Sequence, residues 1–232
     1  MHFFAMTAFN PFMSSISNHQ IKVWVLAPLL ETSDANIDYY YDFSQSIAEY
    51  EKTFAELSIE WKWQPVTIKN YPQIIELIAK EKDFGNKTPV VFNLCDGDEI
   101  NGTPGISVVK LLEEKGLIYT GSDEYFYRIT TSKIPMKKAF DKANVPSAKW
   151  IAINDIDSIS GGSMGVGIKN VVSNKEELTE QVNKMFAGYR GWNLAADGLI
   201  AESFIAGPEF TVLISGSYNN PKDAKIYTPV ER

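Results

Sequence analysis

What the sequence lacks narrows it first. It has one cysteine, Cys95, so neither an intrachain disulfide nor a cysteine-built zinc cluster can form, and a reducing cytoplasm is the natural setting. Acidic side chains outnumber basic ones by 29 to 22, for a formal net charge of −7. No Lys/Arg cluster stands out against that balance, which disfavours a nucleic-acid partner, because neutralising phosphates takes a basic face. Long apolar runs are missing too: nothing approaches the roughly 18 residues of a membrane span. The first twenty residues are mildly apolar, but they lack a basic start and Pro11 interrupts them. A loose leader is expected there, not a signal peptide. Internal repeats and low-complexity tracts are absent from the sequence.

What is present is an ordinary globular composition. Hydrophobic residues make up 44% and aromatic residues 12% of the 232, enough apolar surface to offset the entropy of ordering one large domain or two small ones. Residues 21–27 (IKVWVLA) read as a buried strand, and 42–57 carries apolar residues at helical spacing. A strand at 59–66, a helix at 71–80 and a strand at 89–94 continue the alternation, which predicts an α/β layer with an open, mostly parallel sheet. A helix at 104–115 and a short strand at 117–120 follow. Beyond a helix at 132–143 the elements shorten: a strand at 150–153, a glycine loop at 160–167, a strand at 168–172, a helix at 175–186 and strands around Glu202 and Phe210. Pro146 and Ser147 mark the break. The expected division is an N-terminal α/β domain over 21–145 and a second, α+β domain over 146–232.

Two segments carry chemistry. SGGSMGVGIKNVV at 160–172 places glycines and serines between a loop and an apolar strand, and consecutive backbone N–H groups with hydroxyls can cradle phosphate oxygens. No Gly-Lys-Ser/Thr closes it, so it is not a Walker A loop, and its Gly-x-Gly runs into a strand, unlike a dinucleotide fingerprint. Taken alone, it reads as a glycine-rich hairpin turn. LIAESFIAGPEFTVLISG at 199–216 ends an apolar strand on Glu202, a carboxylate able to accept from an adenine amine or a ribose hydroxyl. Taken alone, Glu202 equally suits a solvent-facing strand edge.

In this order the segments resemble the ATP-grasp domain of the D-alanine–D-alanine ligase family, and AGPEFTV at 206–212 is the most specific match. NGTPG at 101–105, LIYTGSDEYFY at 117–127 and TTSKIPMKKAF at 130–140 resemble the family's first domain and the segment that joins it to the second. The resemblance implies that Lys133 is a phosphate-binding lysine, set against its reading as an exposed helix lysine beside Lys137 and Lys138. It implies that Ser163, with the backbone of Gly162, Met164 and Gly165, covers the ATP phosphates. Glu202 would contact adenine, Phe204 and Ile205 would follow it along the hinge, and Glu209 would meet the ribose.

The same resemblance implies an ATP- and Mg²⁺-dependent cytoplasmic ligase acting on amino-acid substrates, with a homodimer among the arrangements it allows. Two alternatives stay open: a ligase for another amino acid or peptide, and a non-catalytic nucleotide-binding relative. Three departures from the family pattern stand out. The strand that carries a second phosphate lysine is missing before the glycine loop, so residues are expected to be absent between Ile153 and Ser160. The family's magnesium carboxylates and catalytic arginine lie past the position matching Arg232, which leaves no metal ligand or catalytic residue to name. The family's first-domain Glu and His have no equivalents. In their place the loop after the third strand offers Asp96, Asp98 and Glu99 as substrate-binding candidates, expected to face the nucleotide.

Overall fold

A computed structural model describes residues 17–31, 42–97, 99–155, 171–188, 193–217 and 220–231. The chain divides into two compact units, Met1–Tyr127 with Val212–Val230 and Arg128–Thr211 with Glu231–Arg232.

In the first unit four strands pair in parallel in the order β2-β1-β3-β4: β1 is Ile21–Pro28, β2 Glu60–Val66, β3 Thr88–Asn93 and β4 Ile118–Tyr119. Parallel neighbours need crossovers, and helices α1 (Ser44–Glu56), α2 (Tyr71–Phe84) and α3 (Ile106–Glu114) supply them. β1 is apolar on alternate and intervening positions alike because both faces are covered. Val23 and Val25 join Phe54 of α1 in a cluster lined by Tyr50, Trp61, Trp63 and Phe92. Trp24 and Leu26 join Ile75 and Ile78 of α2 and Val108 and Leu112 of α3. The Phe54 ring lies 5.5 Å from that of Phe92, edge to face, a geometry worth about 0.5–1.5 kcal/mol beyond the area buried. The indole N–H of Trp24 donates to Glu81 at 2.9 Å, and Lys22 meets the same carboxylate at 2.8 Å, so the buried ring leaves no donor unsatisfied.

The chain visits β2 on one side of β1 and then crosses to β3 on the other. The carboxyl ends of β1 and β3 therefore flank the point where strand order reverses, the usual ligand crevice of an open α/β sheet. α3 ends in a Schellman motif: Leu117 N–H donates to Leu112 O at 3.0 Å and Gly116 N–H to Glu113 O at 2.9 Å, with Gly116 at φ +60°. α1 ends in the same way on Ser58, at φ +54°, with Ile59 N–H donating to Phe54 O at 2.9 Å.

In the second unit β5 (Trp150–Ile153) and β6 (Leu199–Glu202) pair antiparallel, Trp150 opposite Glu202 and Ile153 opposite Leu199. Helix α4 (Glu124–Thr131) spans the division between units, and α5 (Lys133–Lys142) and α6 (Lys175–Phe186) belong to the second. α6 buries Leu178 and Val182 against Ile153, Leu199 and Ala201. It starts on Asn174, whose side chain accepts from Glu177 N–H at 2.8 Å, while the Glu177 carboxylate accepts from Ser173 N–H at 2.8 Å. β7 (Phe210–Thr211) is the last strand of this unit; β8 (Ile214–Ser217) and β9 (Asn220–Ile226), an antiparallel hairpin, belong to the first unit, and β10 (Val230–Glu231) pairs with β7.

The expected α/β class with a parallel first sheet is the class observed. Its helix expected over 104–115 starts two residues later, because Pro104 is buried in the preceding loop and Gly105 takes the N-cap. α4 and the β8–β9 hairpin were not foreseen: EYFYRITT is rich in aromatic and β-branched residues that lower helix propensity, and NPKDAKI has neither alternation nor an apolar face. The glycine loop, most of the strand expected at 168–172, and the stretch past Asp155 where residues were expected to be absent lie outside the described residues. Among the described residues no helix is long and apolar enough to cross a membrane.

Candidate functional site

In the second unit α5 lies along the β5–β6 ribbon and is fastened near both ends. Near its start Ile134 packs at Gly198, where an added Cβ would lie 3.2 Å from Ile134 Cδ1 and 2.8 Å from Asn154 Oδ1. Gly198 sits at φ +83°, so both its backbone and its surroundings call for glycine. Near the helix end Trp150 Nε1 donates to Asp141 Oδ2 at 3.1 Å. From Ile134 to Asp141 the helix rises about 10 Å. From Gly198 to Glu202, opposite Trp150, the ribbon covers about 13 Å. Helix and ribbon thus run side by side over comparable lengths.

Between them Lys137 Nζ meets Glu202 Oε1 at 2.5 Å, with the two side chains 9% and 15% exposed. Lys137 falls three residues after Ile134 and four before Asp141, on the helix face that meets the ribbon. Removing either member of so enclosed a pair leaves an uncompensated charge.

Lys133 is the first residue of α5 and is exposed. It stands at the Gly198 end of the ribbon, next to Ile134, where β5 ends at Ile153. Gly162, Ser163, Met164 and Gly165 of that segment lie outside the described residues. At the other end, past Glu202, Phe204 and Ile205 are exposed, 62% and 72%. Gly207 then turns the chain at φ +147° and leads through Pro208 and the exposed Glu209 into β7.

In the first unit the loop after β3 is closed on itself. Gly97 N–H donates to Pro104 O at 2.9 Å and Glu99 N–H to Thr103 O at 3.1 Å. Gly97 and Gly105 approach so closely that a Cβ on Gly105 would lie 1.9 Å from Gly97 O. The Glu99 carboxylate accepts from Ser107 N–H at 2.6 Å and from Ser107 Oγ–H at 2.8 Å, at the start of α3, where a negative charge also suits the helix dipole. Tyr127 Oη–H donates to Cys95 O at 2.6 Å and pins the loop's base. Burial, reinforced by the charge of Asp96, pushes both the Cys95 thiol and the Tyr127 phenol up, so Cys95 is held as an unreactive thiol. Asp96 is exposed at this loop, and Asp98 lies outside the described residues. Among the described residues no group of three or more His, Cys, Asp or Glu side chains gathers to hold a metal ion.

No protein-family model matches the chain. A D-alanine–D-alanine ligase of Moorella thermoacetica is 28% identical over 161 residues, covering 61% of this chain and 49% of that protein. Two crystal structures of D-alanine–D-alanine ligase from Bacillus anthracis, the second complexed with ATP, match 91% of this chain with TM-scores of 0.50 and 0.52 at 17% identity. The chain resembles the D-alanine–D-alanine ligases. It has their fold over the matched length, which is 71% and 70% of the two ligase structures, and it spans about half the length of the curated ligase. In this ligase-like fold, sequence reasoning passed over Lys137 and Tyr127. The spacing of Ile134, Lys137 and Asp141 on one helix face was the available signal for the lysine. Tyr127 offered none, because its acceptor lies 32 residues away in sequence.

Proposed function

We propose that the protein is an ATP-dependent carboxylate–amine ligase that joins two amino acids, as its resemblance to the D-alanine–D-alanine ligases suggests. The observation that carries the reading is the order of groups along the β5–β6 ribbon: Lys133 at the end where β5 leaves it after Ile153, and Glu202 with the exposed Phe204 and Ile205 at the other. A triphosphate calls for cations and N–H donors, whereas adenine calls for an acceptor for its amine and an apolar surface for its ring. In this reading Lys133 neutralises phosphate charge, and Gly162, Ser163, Met164 and Gly165 cover the phosphates with N–H groups and a hydroxyl. Glu202 accepts from the adenine amine, Phe204 and Ile205 border the ring, and Glu209 accepts from the ribose.

The carboxylate of a first amino acid takes the γ-phosphoryl group of ATP, giving an acylphosphate and ADP. The amine of a second amino acid then attacks the carbonyl carbon, phosphate leaves, and the amine loses a proton as the amide forms. What the chain must supply is positioning, neutralisation of charge and exclusion of water, with no protein nucleophile. Mg²⁺ would supply further charge neutralisation. The described residues gather no metal-holding cluster.

By role, residues 21–145 are proposed to serve the amino acids and 146–232 the nucleotide, with Lys133 contributed by the segment that joins them. At the loop after β3, the exposed Asp96 and its neighbour Asp98 suit a substrate ammonium, while Glu99 acts through the loop's shape because both of its oxygens are engaged. That acidic loop favours, as a second reading, a ligase whose first substrate is not alanine. Phosphate release from ATP against a panel of D- and L-amino acids tests the function and separates these readings. Lys133→Ala is expected to weaken ATP binding about tenfold with normal thermal unfolding, because an exposed lysine contributes little to the core. Unchanged affinity in a folded variant would remove Lys133 from the site.

A further inference from the structure

We propose that Lys137 is the positioning residue for base recognition: pinned by α5 against the β5–β6 ribbon, its ammonium holds Glu202 Oε1 and leaves Oε2 set to accept the adenine amine. This rests on the reading that Glu202 contacts adenine. The two residues lie in one unit, on elements fastened together at Gly198 and at Trp150.

A glutamate side chain has three torsions, and at the end of a strand it lowers its energy by turning its charge towards water. Here that motion is opposed by an ammonium 2.5 Å away on a lysine whose side chain is 9% exposed. The lysine in turn cannot follow the carboxylate outward, because Ile134 and Asp141 hold the helix on either side of it. One oxygen is thereby fixed. Among the described residues the other oxygen, Oε2, receives no donor, so the pair presents an ionised acceptor of fixed direction. Adenine carries an amine donor where guanine carries a carbonyl acceptor. A fixed carboxylate welcomes the first and repels the second; a carboxylate free to swing away does neither. Lys137 therefore sets nucleotide choice without touching the nucleotide.

The test is a double-mutant cycle on the full chain, with ATP and GTP affinities read by titration calorimetry and unfolding read alongside. E202Q is expected to lower the ATP-over-GTP preference about tenfold, since an amide can both accept and donate. K137M is expected to lower it by a similar factor, and K137M/E202Q to lose no more than E202Q alone, because the lysine acts through the carboxylate. Should K137M not fold, K137R takes its place. It keeps the charge but exchanges a point ammonium for a planar fork, and a reduced preference is again expected. If E202Q alters nucleotide choice while the lysine variant keeps it unchanged, the positioning role is overturned and the adenine reading stands. Losses that add in the double variant would overturn the role as well. An E202Q protein with unchanged affinities, or a native chain that binds no ATP, would sink the adenine reading and this inference with it.

Discussion

Two half-buried carboxylates, Glu99 in the first unit and Glu202 in the second, differ in what holds them. Glu99 spends both oxygens on the N–H and hydroxyl of Ser107 and so closes its own loop onto the start of α3. Glu202 is held on one oxygen by the ammonium of Lys137, with its other oxygen given no donor among the described residues. A carboxylate satisfied by nearby backbone shapes the chain. A carboxylate held by a distant cation keeps an acceptor to offer. Sequence position made the two look alike, since each lies next to a glycine- and proline-containing motif, NGTPG at 101–105 and AGPEFTV at 206–212.

That contrast can be broken by measuring what each carboxylate contributes. Glu202→Ala is expected to destabilise the protein most, by about 3 kcal/mol, because it strands the enclosed Lys137 ammonium. A loss under 1 kcal/mol in urea unfolding would show that solvent reaches the lysine freely. Glu99→Ala is expected to cost about 2 kcal/mol, the value of charge-assisted bonds to Ser107 with water replacing part of them. If it proves costlier than Glu202→Ala, the ranking of the two sites is reversed.

Tyr127→Phe sharpens the comparison on the loop side. Losing the bond to Cys95 O is expected to cost about 1 kcal/mol at neutral pH. The pH dependence carries a sign. Burial raises the Tyr127 phenol in the folded protein, so its contribution is complete below the unfolded value of about 10 and falls as pH rises above it. The Phe variant should therefore lose stability less steeply between about pH 10 and 11.5 than the native chain. Equal slopes would mean that the phenol is hydrated in the folded state. The smallest effect is a gain. Ser58→Gly is expected to add about 0.5 kcal/mol, because serine there occupies the left-handed conformation that closes α1. It touches neither carboxylate and calibrates what a backbone cap alone is worth.

Much of the first unit was legible because β1 is covered on both faces and so reads as an apolar run, VWVLA at 23–27, after a polar stretch. The helix that became α5 was legible too, but not its orientation. Lys137 stands beside Lys133 and Lys138, and what turns it inward is Gly198 and Trp150, one of them some sixty residues away in sequence. The bonds of Glu99 were hidden for a related reason. An acidic loop reads the same from sequence whether its carboxylates face solvent or, like that of Glu99, bond to Ser107 at the start of α3. Periodicity reports which faces are apolar; it does not report which polar atoms meet across a long separation.

The close approach of Gly97 to Gly105 has a consequence for how such a protein can change. Because the chain leaves β3 and rejoins α3 through a pinch with no room for a Cβ, the loop between the two glycines begins and ends at one fixed point, while Pro104 stays buried and Glu99 stays bound to Ser107. Lengthening such a tethered segment costs little, about 0.6 kcal/mol for each doubling. The pinch makes the segment an exchangeable cassette. A grafted loop is expected to leave β3 and α3 unchanged provided that both glycines, the buried Pro104 and an acceptor for Ser107 are kept.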